Sequence, residues 1–98
     1  MKIPGIVKIG FMDYLVGIYD HPIVDSGDVC YGTIGYESGN ISIDGTVDKE
    51  LQKCVLMHEI VHGIDDMCDI GLTEEQVVKL GKGLYQVIKD NPKMFKED

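Results

Sequence analysis

Basic residues are scarce in this chain: nine Lys and Arg stand against 17 Asp and Glu, a formal charge of −8. A surface so acidic repels phosphate backbones, which argues against general nucleic-acid binding. The same charge suits a basic peptide or a cation, and its ordinary role is solubility. Long apolar runs are missing as well. None approaches the ~18 to 20 residues that cross a bilayer, and the opening MKIPGIVKIGF has Pro and Gly where a signal peptide needs an unbroken apolar stretch. No membrane association is therefore expected, and the address reads as cytoplasmic. Cysteines are few: Cys30, Cys54 and Cys68 are odd in number and lack CxxC spacing, so neither a disulfide framework nor a zinc ribbon is indicated. With 98 residues the chain has the length of one domain, residues 1–98, and of one modest core. Repeats and low-complexity segments are also missing.

What is present sorts into an extended half and a helical half. Residues 6 to 19, IVKIGFMDYLVGIY, mix β-branched, aromatic and Gly residues without a helical stripe, which predicts one or two strands bent at Gly10 or Gly17. DHPIVDSGD, 20 to 28, reads as a loop, since Pro22 pushes His21 out of the helical region and Ser26–Gly27 favours a turn. Tyr31 to Glu37 and Asn40 to Asp44 flank SGN as a hairpin. Thr46 then offers a cap for a helix from about 47 to 68, with Asp48 and Glu50 in the first turn as the dipole prefers. Both sides of that helix carry apolar residues, which places it in the middle of the molecule. Thr73 and Gln76 form a capping box for a second helix from about 74 to 90, with a core stripe of Val77, Leu80, Leu84 and Ile88 flanked by Gly81 and Tyr85. Pro92 stops it, and KMFKED reads as a frayed tail. The expected class is α+β: an antiparallel or mixed sheet of about three strands packed on two C-terminal helices.

The first helix contains His58-Glu59-Ile60-Val61-His62, an HExxH sequence. Side chains four apart share a face, so both imidazoles can bind one zinc ion. Glu59 lies about 100° round the helix, out of position as a joint ligand but able to reach a water held by that metal. Zinc lowers the pKa of such a water, Glu59 takes its proton, and the hydroxide attacks a carbonyl polarised by the same ion. Peptide hydrolysis suits this arrangement best. The alternative is a structural network of His and Glu hydrogen bonds. Against it stands the apolar run around the motif, because each buried polar group left unsatisfied costs about 1 to 3 kcal/mol and a cation supplies the missing partner.

Several residues compete for the third ligand. Cys68 falls on the opposite side of the helix from His58. Cys54, one turn before His58, is a rival, though a small buried hydrophobe is the commoner role for such a Cys. Glu74 opens the second helix on its inward side, whereas Glu75 projects with Lys79 and Lys82 toward solvent; both also serve as ordinary first-turn acids. Gly81 and Gly83 suggest a close helix-to-helix approach that would bring Glu74 toward the histidines. Asp65 or Asp66 could steer an imidazole or simply end the helix. His21 is a candidate extra ligand or donor, or a solvated loop His. Tyr31, Tyr36 and Tyr85 are candidate oxyanion stabilisers among which the sequence does not choose.

HEIVHGIDD followed by LTEEQVVKLGKGLYQVIKDNP, with GNISID before them, resembles the small HExxH metallopeptidases of phages and mobile elements of the ImmA/IrrE-like, gluzincin type. The resemblance covers roughly residues 31 to 92. It implies a zincin-like fold, zinc held by His58, His62 and Glu74, and Glu59 as general base. A peptide or protein substrate is expected to lie along an edge strand, Asn40 to Asp44 or its hairpin partner. The alternative function is a non-catalytic, zinc-stabilised protein-interaction module of a phage or mobile element.

Overall fold

The computed structural model describes residues 1–96; Glu97 and Asp98, the end of the expected tail, lie outside the described residues. Strands β1 (Ile6–Ile9) and β2 (Met12–Tyr19) form an antiparallel hairpin that turns at Gly10, whose φ of 62° is left-handed. Gly17 stays inside β2. Residues expected as loop instead build a second small hairpin, β3 (Ile23–Asp25) with β4 (Asp28–Cys30). Ser26 and Gly27 both have positive φ, 52° and 84°, the backbone of a tight hairpin turn. Three-residue strands are too short to display an alternation, which is why the segment reads as a loop.

The clearest hairpin of the sequence is present as β5 (Gly32–Gly35) and β6 (Asn40–Asp44), antiparallel, with Gly35 opposite Asn40. Its first strand stops two residues before Glu37. The main sheet runs β1-β2-β6-β5, and β6 pairs with β2 in parallel, so the sheet is mixed. One expected edge is thereby corrected: Asn40 to Asp44 is an inner strand, with β2 on one side and β5 on the other. Of the two, its hairpin partner β5 is the edge, and β1 is the edge on the far side of the sheet. With two helices following the strands, the architecture is α+β as expected.

Helix α1 (Lys49–Cys68) is capped by Asp48, whose carboxylate accepts from the Leu51 amide at 2.8 Å. Thr46 does not cap it; its amide and hydroxyl both donate to Asp44 Oδ1, at 2.8 and 2.6 Å, closing the turn out of β6. An Asp two residues upstream outcompetes the helix for the Thr hydroxyl. One side of α1 covers β1, β5 and β6, where Ile9, Tyr14, Ile41, Ile43, Val55 and Leu56 make the core. The other side receives α2 (Glu74–Asp90), so α1 is the central element its two apolar sides imply.

The Thr73–Gln76 capping box forms, with Gln76 N to Thr73 Oγ1 at 3.1 Å and Thr73 N to Gln76 Oε1 at 2.9 Å. The buried stripe of α2 keeps Val77 but is rotated onto the residues expected to flank it. Val77, Gly81 and Tyr85 are buried, while Leu80 and Leu84 remain 46% and 40% exposed. After α2, Pro92–Phe95 form a single 3₁₀ turn in what was expected to be a frayed tail. No helix among the described residues is long and apolar enough to cross a membrane.

Candidate metal centre

The 3.6-residue period of α1 sets His58 and His62 one turn apart, and their rings meet edge to face with centroids 4.9 Å apart. Both are half-buried. The α2 cap then decides which acid joins them: the helix begins at Glu74, and its carboxylate reaches both rings, Oε1 lying 3.1 Å from His58 Nε2 and Oε2 3.0 Å from His62 Nε2. Glu75 points away and pairs with Lys79 at 2.9 Å, exposed to solvent. Gly81 permits the approach of the helices, because a Cβ there would stand only 3.2 Å from His58 Cα.

Glu59 is on a different side of α1 and is 5% exposed. A side chain on Gly32 of β5 would come within 3.4 Å of its Oε2, so the carboxyl faces the backbone of the edge strand. Burial raises the Glu59 carboxyl from 4.5 to about 7, helped by the charges of Glu74 and Asp25. His58 is shifted the other way. Burial lowers its pKa, the Glu74 carboxylate opposes the change, and the neighbouring His62 adds to it. Donor atoms of His58, Glu59 and His62 lie within 4.8 Å of one another, so Glu59, expected to be out of position as a joint ligand, stands with the two imidazoles in a group that could hold a metal ion.

These residues line a cavity of about 720 Å³ bounded by β5 (Gly32, Thr33, Ile34) on one side and α2 (Val78, Lys82) on the other. Tyr31 and Tyr36 are on its wall and Tyr85 is not, which separates the three tyrosines that the sequence left equal. Cys54 also lines the cavity, and burial raises its thiol pKa. Cys68 is exposed, with its Sγ 3.7 Å from Met67 Sδ. His21 does not line the cavity; it is exposed, its Nδ1 2.9 Å from the Pro22 carbonyl. Asp66 faces a separate hollow shared with Tyr14 and Met67. Asp65 steers no imidazole directly: its Oδ1 accepts from the amides of Gly71 and Leu72, at 2.8 and 3.0 Å.

Two wall residues were not singled out from sequence, Asp25 and Cys30, while Lys82, expected on the solvent side with Glu75, is exposed but also borders the cavity. Lys82 had a usable signal, since it follows Glu74 and Val78 at i+8 and i+4 on α2. Asp25 and Cys30 had none, because the β3–β4 hairpin reaches the cavity only through folding. No protein-family model, curated protein or solved structure matches this chain.

Proposed function

We propose that this chain is a zinc-dependent metallopeptidase of the ImmA/IrrE-like kind, with His58, His62 and Glu74 holding the ion and Glu59 as general base. The observation that carries the reading is the Glu74 carboxylate spanning both imidazole nitrogens beside a second, buried carboxyl in the same cavity. Two imidazoles and one carboxylate are the donor set of catalytic zinc sites that keep a fourth position for water. Contacts of 3.0 and 3.1 Å are hydrogen-bond distances, so ligation at about 2.0 to 2.2 Å asks each side chain to turn from its neighbour toward the ion. Zinc would supply a water of lowered pKa and polarise the substrate carbonyl.

The remaining work falls to the chain itself. Glu59, with a carboxyl near 7 before any cation is added, can both accept and return a proton around neutral pH. A divalent cation nearby favours its carboxylate form, the form a base needs. Strand β5 is the open edge bordering the cavity, so an extended peptide can add to it by main-chain hydrogen bonds with its carbonyl facing Glu59. Tyr31 and Tyr36 are the candidate oxyanion donors. A cytoplasmic address belongs to the same reading, in keeping with three unpaired thiols.

A second reading has its own support. The ligands come from two helices, so an ion there would cross-link α1 to α2 in a small domain, as in a metal-stapled interaction module without turnover. Glu59→Gln separates the two. In the peptidase it leaves zinc content and folding intact and abolishes cleavage across a panel of extended peptides. If the zinc-loaded wild type cleaves none of the panel, the module reading replaces the peptidase.

A further inference from the structure

Glu74 reaches the histidines only because the chain between the helices places the first residue of α2 over the last turns of α1. That connection is five residues long, Asp69 to Thr73, and contains two left-handed residues, Asp69 at φ 52° and Gly71 at φ 87°. A short path that runs through Gly71 does not by itself have one shape. What ties it is Asp65. Its main-chain carbonyl accepts from the amides of Asp69 and, at 3.2 Å, Ile70; its carboxylate Oδ1 accepts from the next two amides, Gly71 at 2.8 Å and Leu72 at 3.0 Å. One residue thus holds four consecutive amides, and the capping box of Thr73 takes over at the next position.

The choice of an acid here has a cost that makes the bonds telling. A carboxylate in the last turn of a helix faces the negative end of the dipole, and the last turn of α1 carries no basic residue to offset it. Two amide bonds to a charged oxygen are the compensation. We propose that Asp65 is a positioning residue for the metal centre: by clamping Gly71 and Leu72 it sets where α2 begins and so holds Glu74 over His58 and His62. The inference rests on the metal reading above and assigns Asp65 no contact with the ion.

The clamp needs an acceptor oxygen and no charge, so Asp65→Asn keeps it and Asp65→Ala removes it. Cobalt(II) is the probe, because its visible spectrum reports the ligand set and its titration gives an affinity, both without turnover. At a temperature where circular dichroism shows every variant folded, Asp65→Ala should weaken cobalt binding by about 10- to 100-fold and alter the spectrum. Asp65→Asn should restore both. In a Glu74→Gln background the Asp65→Ala change should cost nothing further, since the route through Glu74 is already lost. A mere loss of helix stability would lower the melting temperature without these three signatures. Wild-type affinity and spectrum in folded Asp65→Ala, or losses that add to those of Glu74→Gln, overturn the positioning role and leave the metal site standing. A folded wild type that binds neither cobalt nor zinc overturns the metal reading and this role with it.

Discussion

Gly81 and Gly83 are two residues apart on α2, chemically identical, and placed so differently that the same substitution should act in opposite ways. A methyl group on Gly83 meets nothing within 4 Å. Gly83→Ala therefore gains helix propensity alone, about 0.8 to 1.0 kcal/mol. For a domain of this size one kcal/mol moves the melting temperature by roughly 4 to 8 °C, so the variant should melt about 4 to 8 °C higher. At Gly81 the same methyl would sit 3.2 Å from His58 Cα and 3.4 Å from the His58 amide nitrogen, both main-chain atoms that no rotamer change can move. The helices must separate by a few tenths of an ångström, and overpacking of this kind typically costs about 1 to 3 kcal/mol. Set against the same propensity gain, Gly81→Ala should be neutral to about 2 kcal/mol destabilising. It should also weaken metal binding, since the separation occurs at the residue that bears an imidazole. Thermal melts followed by circular dichroism, with chelator present so that no ion contributes, measure the stabilities, and cobalt titration measures the site. Equal stabilisation by the two alanines would refute the close approach of α2 to His58.

The remaining predictions concern the site and the core. In metal-free protein Glu59, raised from 4.5 to about 7, binds its proton more tightly folded than unfolded, so its contribution is full below pH 4.5 and is lost as pH rises through 7. Urea melts should show the stability difference between wild type and Glu59→Gln shrinking or reversing by about 3 kcal/mol across that window, and a flat difference would mean the carboxyl is not desolvated. Native mass spectrometry should find metal occupancy lost in His58→Ala and His62→Ala, and full occupancy in either ends the coordination reading. Glu74→Gln should lower metal affinity at least about tenfold whereas Glu75→Gln should not, because Glu75 pairs only with Lys79 in solvent; equal effects would reassign the third ligand. Val77 is fully buried and Leu80 is 46% exposed. Val77→Ala should thus cost about 1.5 to 3 kcal/mol and Leu80→Ala clearly less, an order that chemical denaturation can reverse only if α2 is rotated differently.

Sequence by itself determined what depends on neighbours along the chain. The four-residue spacing of His58 and His62 puts them on one face of any helix, the Thr73–Gln76 box starts α2 where it starts, and a turn-rich SGN joins β5 to β6. Each is an interaction within a few residues, so composition at those positions is sufficient. Tertiary structure alone decided the rest. The parallel pairing of β2 with β6 joins strands more than twenty residues apart and turns an expected edge into an inner strand. Leu80 and Leu84 have the spacing of a core stripe, yet α2 is rotated so that Val77, Gly81 and Tyr85 face inward, a rotation set by how closely Gly81 lets the two helices pack. The Asp65 clamp and the arrival of Asp25 and Cys30 at the cavity are likewise products of folding. Glu74 belongs to both lists: its helix position was legible beforehand, while its place on the two imidazoles required a turn of five residues and a glycine on its own helix facing α1, because a contact between side chains of two helices is a property of their packing and of neither helix alone.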